Sequence, residues 1–352
     1  MSTTGRLLDD EDLAGMTAEL KEWPNSTWGS DEQALGVSPF LTFYFLYDSQ
    51  RSTETALLMV DIHEAFEHLT GESYSIGTHP DSEKPHRYGS KRLPDLREVA
   101  RTSKSSDYFS FKVSSELNHR SSPATAGYFW KLRDYMNDRD DPSNRAYSSI
   151  QFYYRWAWFK ESKNAWRGFV LQSIERLRPE VVYSGFAFAN PLEHGTRAEV
   201  SVWERALTPR FYGLDIDFPF GMDRLGDGIR PPTWGFLLSD VNCRKLALSR
   251  EQVRDRLHHP AINIFEVQNG LWIELGDEPS LFPVEDGVPA LPKMLNHLLK
   301  PIRNDHTDLL GFAQWDGDPN ERFNSRDTMR WLQRFDDDSD WPSIEERRAS
   351  LK

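Results

Sequence analysis

Apolar residues follow two different periods along the chain, which indicates alternating strands and helices. Residues 37–47 are almost continuously apolar, as expected of a strand buried on both faces, and residues 181–189 repeat that pattern. Between them, Leu58, Ile62 and Leu69 recur at helical spacing and predict a helix over residues 53–69. A second apolar stripe predicts a helix over residues 166–177.

The clearest local signal is a β-hairpin at about residues 262–276. Asn269-Gly270 separates two runs rich in β-branched and aromatic residues, and both residues tolerate the positive φ of a type I′ turn. Leu271, Ile273 and Leu275 should therefore face one side of the sheet, and Trp272 and Glu274 the other. The hairpin favours an α+β fold, with a mixed or largely antiparallel sheet flanked by helices, over a doubly wound one.

Other segments are assigned by the same rules. Residues 124–137 read as a helix, residues 149–159 and 309–313 as strands, and residues 71–106 as a polar excursion broken by prolines. The predicted organisation is an N-terminal polar arm (1–35), a domain over 36–335, and an acidic C-terminal tail (336–352). The arm is expected to be largely mobile apart from a short helix, and the domain admits two lobes, about 36–180 and 181–335.

Charge narrows the class of partner. The chain has 352 residues and a net charge of −13, and residues 1–100 alone carry 18 acidic against 8 basic side chains. An acidic protein repels phosphate backbones, so no nucleic-acid binding is expected and a basic protein partner is favoured. A single cysteine, no signal peptide and no bilayer-length apolar run predict a cytoplasmic protein without membrane contact.

A one-signed acidic stretch marks the candidate partner surface. Residues 257–292 contain no Lys or Arg, and their acidic residues are Glu266, Glu274, Asp277, Glu278, Glu285 and Asp286. Such a stretch on an ordered element suggests a face for a basic partner, although an acidic face kept only for solubility has the same composition.

Chemistry for catalysis is sparse. The acids of residues 215–227 offer oxygen ligands for Mg²⁺ or Ca²⁺, and His258 and His259 offer a general acid or base. The alternative function is therefore a metal-dependent hydrolase; its residues would be Asp215, Asp217, Asp223, Asp227, His258 and His259. No nucleophile elbow or phosphate-binding loop is present, so we expect no enzyme and no cofactor. A scaffold with several partners is a third possibility.

Three blocks of sequence resemble a bacterial family labelled type VI immunity family protein. They are residues 183–188 (YSGFAF), 228–238 (GIRPPTWGFLL) and 266–273 (EVQNGLWI), and the resemblance covers roughly residues 35–335. Members that resemble this chain are cognate antitoxins of type VI secretion effectors, several of them nucleases. The resemblance implies a protein that binds one toxin and blocks it, and it transfers no catalytic residue.

Charge and resemblance together give a hypothesis for the interface. A DNA-binding nuclease presents a basic cleft that an acidic protein can occupy. We expect the toxin to meet either the hairpin acids, with Trp272 as an exposed central anchor, or the 215–227 loop. The predicted partner-binding residues are Glu266, Trp272, Glu274, Asp277, Glu278, Asp215, Asp217, Asp223 and Asp227. The toxin's identity and the oligomeric state stay open.

Overall fold

The structure is a computed structural model that describes residues 7–79, 82–131, 147–217, 225, 227–304, 314–315 and 317–350. Its strands are β1 (Thr27–Ser30), β2 (Gln33–Leu46), β3 (Ile76–His79), β4 (Ser82–Arg87), β5 (Phe109–Ser114), β6 (Ala126–Lys131), β7 (Tyr147–Tyr153), β8 (Val181–Phe188), β9 (Leu214–Asp215), β10 (Gly235–Ser239), β11 (Ile262–Val267) and β12 (Gly270–Leu275).

The helices lie between these strands and after the last one. They are α1 (Asp10–Glu22), α2 (Ser52–Thr70), α3 (Leu96–Thr102), α4 (Trp156–Leu177), α5 (Arg197–Leu207), α6 (Asp240–Lys245), α7 (Arg250–Arg256), α8 (Ala290–Leu299), α9 (Ser325–Leu332) and α10 (Ile344–Ser350). In the part of the chain that the structure describes, no helix has the length and apolarity needed to cross a membrane.

The strands form one open sheet in the order β11-β12-β10-β8-β2-β7-β6-β5-β3-β4, with β1 beside β2 and β9 beside β8. The neighbouring strands run antiparallel except for the short parallel pair of β8 and β9. The predicted α+β class with a largely antiparallel sheet is therefore confirmed. The strand β2 lies near the middle of the sheet, between β7 and β8, which explains its continuous apolar sequence.

The predicted hairpin is confirmed as β11 and β12, but its turn differs from the expectation. Val267 pairs with Gly270, so Gln268 and Asn269 form the two-residue loop. Neither Asn269 nor Gly270 has a positive φ, and the type I′ assignment is wrong. Gly270 is instead required by packing, because a Cβ there would lie 2.4 Å from the carbonyl oxygen of Leu238 on β10.

The two faces of the sheet differ in polarity. On one face, α2 and α4 pack aromatic side chains onto the strands; Phe66 of α2, for example, stacks on Phe152 of β7 at 4.1 Å between ring centroids. The opposite face buries a hydrogen-bonded polar cluster that includes Thr42 of β2 and Gln151 of β7. The aromatic side chains contribute to the apolar core, while the polar cluster joins the later loops to the central strands.

Several local predictions are corrected. Part of the predicted helix at 124–137 is the strand β6, because Phe129 and its neighbours alternate between faces and pair with β5 and β7. The strand predicted over 149–159 ends at Tyr153, and α4 begins at Trp156. The polar excursion 71–106 contains β3, β4 and α3. The strand predicted at 309–313 lies outside the described residues.

Both ends of the described chain are packed against the rest. The short N-terminal helix is confirmed as α1, and Met16 and Leu20 of that helix are buried in the main core. Near the C-terminus, Trp331 and Trp341 belong to a second buried apolar cluster. Asp336, the first residue of the predicted acidic tail, is buried and bonded to Arg303 at 2.8 Å.

Candidate partner-binding surface

The predicted anchor Trp272 is buried, so its expected exposure is wrong. It is 0% exposed, its ring centroid lies 6.3 Å from that of Trp166 on α4, and its Nε1 donates a hydrogen bond to Glu274. The alternation of side chains predicted that Trp272 and Glu274 share the outward-facing side of the hairpin. In the structure, α4 covers that side. Trp272 is therefore a packing residue under a helix.

Glu274 is likewise an interior residue. Its side chain is 0% exposed and accepts a bidentate pair of hydrogen bonds from Arg167 of α4, at 3.0 Å from Nε and 2.7 Å from Nη2. The carboxylate of Glu274 raises the pKa of Arg167 through these bonds. The ion pair holds α4 against the hairpin, and the negative charge of Glu274 is neutralised inside the protein.

The remaining hairpin acids lie at the surface, and two of them are already paired. Glu266 contacts Arg250 and Arg254 of α7 at 3.2 and 2.9 Å, and these guanidinium groups lower its pKa. Glu278 accepts hydrogen bonds from Lys160 of α4 at 2.9 Å. The sequence of 257–292 lacks bases, but α4, distant in the chain, and α7, immediately before this stretch, supply them.

Asp277 is exposed just beyond the end of β12 and makes no ion pair within 4 Å with a described residue. It is the hairpin acid that satisfies the original expectation of an available surface charge. Asp277 therefore stays a candidate contact. Glu266 and Glu278 offer less charge to a partner because they are already paired with bases.

The acids of residues 215–227 do not form one surface. Asp217 is 1% exposed, and its Oδ2 accepts hydrogen bonds from Thr42 (2.6 Å) and Gln151 (2.5 Å). Arg230 approaches the other carboxylate oxygen of Asp217 at 3.8 Å. Burial raises the pKa of Asp217 to about 6, and the positive charge of Arg230 opposes that rise.

The other acids of this loop are divided between interior and surface. Asp215 is buried, with Arg334 at 3.9 Å, whereas Asp227 is exposed. Asp223 lies outside the described residues. The buried acids connect β2, β7 and β9 to the loops around them, a structural role that the Asp and Gly composition of the loop did not reveal.

No metal centre is formed by the residues that the structure describes. Within them, His, Cys, Asp and Glu side chains form no group of three able to hold an ion. His258 and His259 precede β11 at the edge of the sheet, whereas Asp215 lies on β9, which pairs with β8. Neither histidine joins a described acid of residues 215–227 in a group able to hold an ion, so the structure does not bring the proposed hydrolase residues together as a metal site.

The outer face of α1 lies in the N-terminal arm, where the sequence predicted a short helix but no partner-binding residue. Met16 and Leu20 face the core, whereas Glu11, Glu19 and Glu22 are exposed. None of these three acids forms an ion pair within 4 Å with a described residue. The amphipathic spacing of the apolar residues in α1 could have revealed this face. It predicts which acids point outward once the helix packs on the core.

These features define an acidic α+β protein in which several predicted site acids lie in the interior, and in which Glu11, Glu19 and Glu22 of α1 form no ion pair with a described residue. The chain belongs to the TsiV family, described as type VI immunity for VRR-NUC, whose model matches residues 64–335. This match confirms the resemblance found from the sequence. No curated protein matches the chain.

A solved structure supports the same fold. The chain is similar to the Pseudomonas aeruginosa T6SS protein PA0821, with a TM-score of 0.78 and 20% identity over 96% of this chain and 95% of that chain. The likeness extends to nearly the full length, including the region before residue 64.

Proposed function

We propose that this protein binds and neutralises a cognate type VI secretion effector with a VRR-NUC nuclease domain, by covering its active site or its DNA-binding site. The observation that carries the proposal is the family match over residues 64–335. We further propose that inhibition occurs by stoichiometric binding without catalysis, and in the cytoplasm, where a DNA-cleaving effector meets its target.

Charge supports the proposed target site. A nuclease domain that binds DNA needs a basic face to hold the phosphates, and this chain has a net charge of −13. Opposite net fields accelerate association and raise its dependence on salt. Among the originally predicted contacts, we retain Asp277 and Asp227 as available charges and Glu266 and Glu278 as charges already shared with neighbouring bases.

The test is a reconstituted inhibition assay with the cognate VRR-NUC effector. Cleavage of plasmid DNA by the purified effector is measured while the immunity protein is titrated in, and binding is measured separately without DNA. We expect inhibition to saturate at equimolar immunity protein and affinity to fall as salt increases. An effector that neither binds the protein nor loses activity would refute the proposal.

The site of inhibition is tested by competition. A catalytically inactive effector is first bound to a short DNA duplex, and the immunity protein is then added. Displacement of the DNA is expected if the immunity protein covers the DNA-binding face. Formation of a ternary complex with inhibition intact would show that inhibition acts elsewhere on the effector.

A further inference from the structure

The outer face of α1 has the geometry of an unpartnered docking face. Glu11, Ala14, Ala18 and Glu22 are exposed and share one side of the helix, because their spacings of three, four and four residues follow the helical period. The two alanines have small side chains, so the helix surface between the two carboxylates does not protrude. Nothing else in the described part of the chain covers them.

This part of the chain is strongly acidic. Residues 7–32 contain eight acidic side chains and a single base, Lys21. That lysine is paired at 2.5 Å with Glu285, which lies in the short 3-10 helix Val284–Asp286. Glu11, Glu19 and Glu22 have no base within 4 Å among the described residues, in contrast to Glu266 and Glu278. Asp10 of the same helix interacts electrostatically with Arg210.

Large apolar side chains lie at both ends of the same helix. Leu7 is 57% exposed and Trp23 is 46% exposed. Tryptophan is enriched among the residues that dominate binding energy, and carboxylates near it add selectivity for a basic partner.

A chain of contacts links the end of the hairpin to the segment that follows α1. Lys160, which binds Glu278, lies over the ring of Trp156 at 5.3 Å, and the backbone N–H of Trp156 donates to Asn25 at 3.1 Å. Asn25 follows Trp23 by two residues, so the position of this segment depends on α4.

The outer face of α1 lies outside the residues that the family model matches. That match begins at residue 64, after α1, β1 and β2, although nearly the full-length fold is shared with a solved structure. A contact surface outside the matched region can differ between immunity proteins while the common fold is kept. That arrangement is what discrimination between cognate and non-cognate effectors requires.

We propose that the outer face of α1, with Trp23 as its anchor, docks onto the basic DNA-binding face of the effector's nuclease domain and determines which effector is recognised. This inference rests on the proposed function and specifies the surface that performs it. Trp23 supplies apolar contact area, and Glu11, Glu19 and Glu22 pair with bases that otherwise hold DNA phosphates.

Charge reversal tests this assignment. The first variant combines Glu11→Lys, Glu19→Lys and Glu22→Lys. The control combines Glu98→Lys, Glu251→Lys and Asp255→Lys, which are exposed acids on α3 and α7, so both proteins have the same net charge. We expect the α1 variant to bind the effector at least roughly 100-fold more weakly, and the control variant to bind within about 10-fold of wild type.

A second pair of variants tests the apolar anchor. Trp23→Ala should weaken binding about 10-fold or more and leave its salt dependence unchanged, whereas Leu117→Ala, at a 76% exposed leucine elsewhere, should leave affinity unchanged. Thermal unfolding of all four variants establishes that they fold.

The outcomes separate the two proposals. If wild type binds and inhibits the effector but the folded α1 variants bind as tightly as their controls, the α1 assignment is wrong and the immunity function stands. If wild type itself does not bind, the proposed function fails first. Equal weakening by both charge-reversed proteins would also overturn the assignment, because it would show a response to net charge alone.

Discussion

The hairpin β11–β12 and the helix α1 each combine acids with a tryptophan, yet the fold uses them in opposite ways. In the hairpin, Trp272 and Glu274 are fully buried under α4. On α1, Trp23 is 46% exposed and Glu22 is exposed beside it. Local composition therefore does not decide which acids can meet a partner; the elements packed against them do.

Tryptophan truncation gives the largest expected difference between the two regions. Trp272→Ala removes a fully buried indole and the hydrogen bond from its Nε1 to Glu274, so we expect a loss of about 3–5 kcal/mol in the free energy of unfolding. Trp23→Ala should change that free energy by about 0.5 kcal/mol or less. Urea unfolding followed by circular dichroism measures both, and equal losses would contradict the comparison.

Neutralising Glu274 and Glu266 one at a time should distinguish the effect of an interior charge on stability from that of a surface charge. Glu274→Gln weakens the bidentate pair with Arg167 and is expected to destabilise the protein by about 2–3 kcal/mol, since Arg167 keeps partial access to water. Glu266→Gln, at an exposed position, should leave the urea midpoint unchanged within error. A Glu266 variant as unstable as the Glu274 variant would show that the α7 contacts fix the hairpin.

The pH dependence of stability should come from interior acids. Burial raises the pKa of Glu204, which is paired with Arg197 at 2.7 Å, to about 7, and that of Asp217 to about 6. A raised native pKa means that the folded state binds more protons than the unfolded state. The stabilisation from these groups is complete below their unfolded pKa values, near 4.5 and 3.8, and is lost as pH rises through 6 and 7.

A Glu204→Gln variant tests this account. Unfolding free energies at pH 5, 6, 7 and 8 should decline less steeply in the variant, by a total of about 2 kcal/mol across that range. Glu22→Gln on α1 is the surface control and should retain the wild-type profile. Identical profiles for wild type and Glu204→Gln would assign the pH dependence to other groups.

Much of the fold was predictable because it depends on local patterns. The strands β2 and β8, the helix α2 and the hairpin all followed from apolar runs, helical spacing and turn residues. The strand β6 was missed because Phe129 and its neighbours suit either a strand or a helix, and only pairing with β5 and β7 decides between them.

The site was less predictable than the fold, for a physical reason. Arg167 and Arg250 lie about 107 and 16 residues before the acids that they neutralise, so the chain around Glu274 and Glu266 looks unpaired in sequence. Burial of Asp217 likewise depends on β2 and β7. The charge available at the surface is the charge that remains after ion pairs form between distant parts of the chain. A single sequence does not reveal that pairing.

The smallest expected effect on stability is also the one that bears most directly on recognition. Replacing Glu11, Glu19 and Glu22 by Gln removes three surface charges without adding new ones, so unfolding should change by about 0.5 kcal/mol or less. The association rate with the effector should nevertheless fall about 10-fold at low salt and approach the wild-type rate at high salt, because steering acts before contact is complete. Stopped-flow binding across a salt series measures this. A variant with unchanged rates at every salt concentration would show that the field of α1 does not guide the encounter, and would leave Trp23 and contact formation as the source of any specificity.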